Sequence, residues 1–210
     1  ARTSEFEHIN TKEIDKNTTE VILRLRDSKE SLRLWAYKFE LELKVTISDS
    51  LIMELTTTNL DTKAFKITQA LHSYFSVSHI SDAIVKGLDK KPYFDALSTK
   101  ESIQDGDIVF EEEVDRVYQE VGAEILLVDK NRTISIKNEG SSSLVEGSSS
   151  LVEGSSSVVV WNPWVDKCKR MSAMVDDAYK EFVCIESANA FEDFKILEPG
   201  QKHTLKATIS

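Results

Sequence analysis

An antiparallel all-β sandwich is the fold this sequence predicts. Three features support it. Hydrophobic and polar side chains alternate along most of the chain, at least eight such runs are separated by polar turns, and helical periodicity is scarce.

The clearest element is a hairpin. Leu41, Leu43, Val45 and Ile47 alternate with Glu40, Glu42, Lys44 and Thr46; Ser48-Asp49-Ser50 breaks the run, and Leu51, Met53 and Leu55 resume it. Successive strand side chains point to opposite faces, so one face meets a core and the other meets water. Similar runs occur at Glu20–Leu25, Arg33–Phe39, Lys66–Phe75, Ile108–Phe110, Ile125–Val128, Thr133–Lys137, Val158–Trp161, Phe182–Ser187 and His203–Ile209. Helix is confined to a short turn at Ser78–Val85 and a helical piece within Lys167–Glu181, where Met171, Met174 and Tyr179 share a side and serve packing.

One tandem repeat is present: Leu144–Ser150 reads LVEGSSS, Leu151–Ser157 repeats it, and Glu139–Ser143 is a partial copy. Without the two full units, Lys137–Ser143 would run straight into Val158, as in a hairpin turn. Residues 140–157 therefore read as a Gly/Ser-rich insertion that lengthens a hairpin loop of one domain spanning 1–210. Such lengthening costs only about 0.6 kcal/mol per doubling. A passive loop is the expectation.

The 210 residues, 40% hydrophobic, suffice for one substantial β domain. The net charge of −10 speaks against a nucleic-acid surface, which needs a basic patch. It leaves room for a small anion held by a few arginines. No apolar run approaches the ~18 residues of a membrane span, and no signal-peptide pattern opens the chain, so a cytoplasmic protein is expected. Cys168 and Cys184 fit no zinc or redox spacing and are expected to be reduced thiols. The sequons at Asn17 and Asn131 carry little weight without a secretory signal.

Four histidines occur, and His72 differs in context. Period two places Ala70, His72 and Tyr74 on one strand face, with small Ala70 leaving room beside the imidazole. Glu186 ends the apolar run Phe182-Val183-Cys184-Ile185. A carboxylate there sits at the strand's mouth or is paired inside, because unpaired burial is costly. It is either part of a site or salt-bridged to a lysine or arginine. Asp115 follows the acidic run Glu111-Glu112-Glu113 and stands beside Arg116, as an ion pair or as a hydroxyl-binding carboxylate. The run itself reads as a solvated edge. In Trp161-Asn162-Pro163-Trp164 the two indoles serve either sugar stacking or packing.

Six motifs follow one another in an order that resembles the glucose-6-phosphate 1-epimerases, the hexose-6-phosphate mutarotases related to aldose 1-epimerase. They are Arg2–Glu7, Ala70–Phe75, Val85–Leu88 with Tyr93–Asp95, Val114–Tyr118, Val160–Trp164 and Val183–Asn189. The resemblance implies a galactose-mutarotase-like β-supersandwich that needs no metal or nucleotide cofactor. It also implies an aldohexose 6-phosphate as substrate, His72 as general acid and Glu186 as general base, with Asp115 contacting substrate. Ala1-Arg2 falls on the end of the family's Gly-Phe-Ala-Arg motif, so Arg2 is expected to help bind the 6-phosphate. Family members carry further strands and a second phosphate-binding arginine before this point. The chain is therefore expected to be N-terminally truncated, with an incomplete phosphate site. The alternatives are a non-catalytic sugar-phosphate-binding module or an inactive fragment. Whether His72 and Glu186 converge on one sugar separates binding alone from catalysis.

Overall fold

Leu23, Leu43, Leu55 and Leu205 stand side by side across four neighbouring strands. This row is the predicted alternation turned into a sheet face. The opposite face carries the polar partners, with Arg24 bound to Glu42 at 3.0 Å and Lys44 to Glu54 at 2.6 Å. The computed structural model describes residues 1–122, 124–130, 132–144 and 155–210, apart from the side chains of 140–144.

The strands in order are β1 (Glu7–Asp15), β2 (Thr18–Arg26), β3 (Phe39–Ile47), β4 (Leu51–Asn59), β5 (Phe65–Ile67), β6 (Gln69–Leu71), β7 (Tyr74–Ser76), β8 (Ile84–Lys86) and β9 (Pro92–Asp95). They continue with β10 (Lys100–Ile103), β11 (Val114–Tyr118), β12 (Glu124–Asp129), β13 (Arg132–Leu144), β14 (Ser157–Asn162), β15 (Phe182–Asn189), β16 (Lys195–Leu197) and β17 (Gln201–Ile209). Helix α1 spans Lys29–Leu34 and α2 spans Trp164–Arg170.

The first sheet has the order β1-β2-β3-β4-β17-β13-β12-β8, and the second β10-β9-β11-β14-β15-β6, with β7 also pairing β15. A small ladder joins β16 to β5, and the pairings in all three sheets are antiparallel. The two large sheets share one core. Val85, Ile125, Leu127 and Ile136 of the first meet Val158, Val160, Val183 and Ile185 of the second, and none of these is more than 1% exposed. Each such side chain contributes roughly 1.5–3 kcal/mol by leaving water. The alternate residues of β14 and β15, Trp161, Cys184 and Glu186, point to the other face of the second sheet.

Three expectations change. Arg33–Phe39 is not a strand. Ser28 caps α1, its Oγ accepting from the Glu30 and Ser31 amides at 3.2 Å, and Leu34 projects into solvent. The capping box outweighs the short alternation of leucines. Lys66–Phe75 breaks into β5, β6 and β7. Ile108–Phe110 makes only a single bridge to Val85, although both ends of the run are buried. The turn near Ser78–Val85 is found as a 3-10 turn at Ile80–Asp82. The helical piece after Lys167 is found as α2 and a 3-10 turn at Ala178–Glu181.

Around the repeat the structure also departs from the hairpin expected at 140–157. β13 continues to Leu144, pairing Gly140 with Leu205 and Leu144 with Gln201, while β14 belongs to the other sheet. The connection therefore crosses between sheets. Residues 145–154 lie outside the described residues, as does Asn131 of the second sequon. Cys168 and Cys184 are buried free thiols.

Candidate active site

His72 sits at the corner between β6 and β7, where the Ser73 amide donates to the Leu71 carbonyl at 3.0 Å. Both short strands pair with β15: Ala70 opposes Ala188, and Tyr74 opposes Cys184. The corner therefore delivers the imidazole over β15, where Glu186 faces it. Nε2 of His72 lies 3.2 Å from Oε1 of Glu186. The carboxylate is nearly buried at 8% exposure, and the imidazole is half open to solvent.

Aromatic rings wall the pair. Tyr74 stacks on the imidazole, and Trp161 meets it edge-on with centroids 6.0 Å apart. Trp161 also meets Phe182 at 5.8 Å. The two indoles left open by the sequence thus divide. Trp161 lines the site, whereas Trp164 packs on Tyr179 beside the main core. Asn162 fixes the turn between them, donating through Nδ2 to the carbonyls of Tyr179 and Phe182 at 2.9 and 2.8 Å.

Asp115 lies directly across from Trp161 in the β11–β14 register. Its partner is Lys167 at 3.2 Å. The ion pair with Arg116 considered from the sequence does not form. Neighbouring strand residues point to opposite faces, and Arg116 instead donates to Gln104 at 3.1 Å and lies over the Tyr93 ring. Nor does Glu186 pair with a lysine or arginine; its partner is His72. Of the acidic run, Glu111 and Glu112 are exposed, while Glu113 binds Lys167 at 2.9 Å. Arg2 lies in the exposed segment before β1, near enough that its charge disfavours protonation of His72.

Burial pushes the Glu186 carboxyl up to about 7, and the Asp115 charge adds to the shift. Burial also lowers the His72 pKa; a backbone hydrogen bond opposes this, and Arg2 adds to it. The site presses both groups toward their neutral forms, so the ionic form of the pair is reached at a cost. Burial likewise raises the Cys184 thiol and the Tyr74 phenol, which stay protonated near neutral pH. Among the described residues no group of three or more His, Cys, Asp or Glu side chains is placed to hold a metal ion. No helix among them is long and apolar enough to cross a membrane.

Two packed antiparallel sheets, with an imidazole facing a nearly buried carboxylate on one open sheet face, define the class as an antiparallel β-supersandwich. Within it, the chain belongs to the aldose 1-epimerase family, whose family model, described as "Aldose 1-epimerase", matches residues 1–210. A protein of Cenchrus ciliaris named "Putative glucose-6-phosphate 1-epimerase" is 38% identical over 198 residues, 90% of this chain and 56% of that protein. One of the same name from Escherichia coli K12 is 28% identical over 192 residues, 90% of this chain and 59% of that one. The crystal structure of "a putative mutarotase (YeaD)" from Salmonella typhimurium superposes with a TM-score of 0.84 at 29% identity, covering 100% of this chain and 65% of that one. The chain thus spans a little over half the length of the curated relatives it matches.

Proposed function

We propose that this chain carries the acid–base machinery for interconverting the α and β anomers of an aldohexose 6-phosphate. The observation that carries this reading is the 3.2 Å contact between His72 and Glu186 beneath an aromatic wall. The Glu186 carboxylate takes the proton from the C1 hydroxyl while the His72 imidazolium gives its Nε2 proton to the ring oxygen. The C1–O5 bond breaks and a C1 carbonyl forms. The aldehyde turns about C1–C2, and the ring recloses on the other carbonyl face as both protons return. The sum is neutral, and no cofactor enters.

The site's electrostatics favour this exchange. A carboxylate whose pKa lies near 7 is a stronger base than an ordinary one, and a depressed imidazolium is a stronger acid. The two roles need one shared proton, which a pair in contact holds near neutral pH. Asp115 would accept from sugar hydroxyls at the rim. Arg2, close to His72, would attract the 6-phosphate through charge-assisted hydrogen bonds. The names of the relatives support the phosphosugar, and the −10 net charge makes a local cation necessary for it.

Two-dimensional exchange NMR of glucose 6-phosphate tests the reading. The expected result is faster anomer exchange with the protein than in buffer, and a smaller effect on glucose. Exchange at the buffer rate for both sugars would overturn it.

A further inference from the structure

Lys167 was not singled out by sequence, yet it ties three elements together at the edge of the site. It leaves α2 and places its ammonium 2.9 Å from Glu113 and 3.2 Å from Asp115. The same ammonium lies 5.6 Å from the centre of the Trp161 ring. Trp161 faces Asp115 on one side in register and Cys184 on the other, and Glu186 is two residues along the same face. Strand spacing and rise put Asp115 about 12 Å from Glu186 along the sheet. Helix α2 is itself held to the sheet through Asn162, whose Oδ1 accepts from the Trp164 amide at 2.9 Å.

Lys167 is thus the ammonium set between Glu113 and Asp115 at the edge of the sheet face that carries Glu186. An ammonium has three donors and no acceptor, so it can donate to both carboxylates at once. We propose that Lys167 is a positioning residue: it clamps Asp115 to α2, holding that carboxylate at the rim for sugar hydroxyls, and offsets the negative charge facing Glu186. The proposal rests on the acid–base reading of His72 and Glu186, and Lys167 touches none of the reacting atoms.

The charges around Glu186 make the effect readable. His72 and Tyr74 face it from the β6–β7 corner, and Cys184 from its own strand. Asp115 adds to its raised pKa from β11. Arg2 acts from the N-terminal segment, through His72 and Tyr74. Val159 of β14 opposite Glu186 carries no charge. His203 of β17 lies at the far end of β15 against Asn189, and Lys180 is paired with Asp177. Only the Lys167–Glu113–Asp115 group changes in the variants below.

The test is a ¹³C carboxyl NMR titration of Glu186, assigned with Glu186→Gln. Lys167→Met keeps the side-chain stem on Trp161 and removes the charge. It is expected to raise the Glu186 midpoint by about 0.5–1 pH unit, the size of one unit charge at this range in a medium of intermediate dielectric. Lys167→Arg is expected to restore the midpoint, and Glu113→Gln to lower it. In exchange kinetics, Lys167→Met raises KM for the sugar phosphate more than it lowers kcat. If neither Lys167→Met nor Glu113→Gln moves the midpoint, the proposal is overturned. A shifted midpoint in a protein that exchanges no sugar upholds the clamp while removing the proposed function; normal exchange with an unmoved midpoint does the reverse.

Discussion

The imidazole of His72 and the ring of Tyr74 lie face to face, their centroids 4.8 Å apart and their planes 19° apart. This stack covers one side of the imidazole and contributes to the burial that lowers its pKa. Tyr74→Ala opens that side to water. The His72 titration midpoint is expected to rise toward the ordinary value of 6.5, followed by ¹H–¹⁵N NMR of the ring. An unmoved midpoint would show that Tyr74 contributes nothing to the burial.

Glu186 makes the fold sensitive to pH. Its carboxyl rises from 4.5 to about 7, so the folded chain holds this proton more tightly than the unfolded chain does. That contribution to stability is whole below about pH 4.5, declines as pH rises, and is lost above about pH 7. Glu186→Gln removes the decline. The variant is therefore expected to gain on the wild type as pH rises through this window, by about 1–3 kcal/mol at its upper end. Urea unfolding at pH 4.5 and pH 8 measures the gain. His203, pushed down to about 4 by burial, slopes the other way in both proteins and cancels. An equal difference at the two pH values would mean that Glu186 is not strained by its surroundings.

Gly87, which follows β8, adopts φ +96°, and a Cβ there would meet the Glu124 carbonyl oxygen at 2.8 Å. Both the left-handed backbone and the close approach to β12 exclude a side chain. Gly87→Ala is expected to destabilise the protein by about 1–3 kcal/mol. A melting temperature equal to wild type would contradict the close approach.

What the sequence disclosed depends on how each residue is buried. The β3–β4 hairpin was legible because one of its faces meets a core and the other meets water. β1 was not, since all nine of its residues are exposed and only pairing with β2 makes it a strand. His72 and Glu186 each stood out locally, but their meeting depends on β6 and β7 flanking β15, which no local pattern encodes. Lys167 looks like one of several cations in the last turn of α2. The Asp115–Arg116 pair was open to refutation in advance: period two sends the two side chains to opposite faces. Burial also decides the protonation balance of the pair, and it became visible only with the fold.

The central claim is that Glu186 and His72 exchange protons with one hemiacetal. The most direct measurement is the NMR exchange rate of glucose 6-phosphate anomers at pH 7 with wild type and with Glu186→Gln. Loss of a general base predicts a rate enhancement reduced by about 10²–10⁴-fold, with the fold retained. A Glu186→Gln protein that exchanges the anomers as fast as wild type would contradict the account.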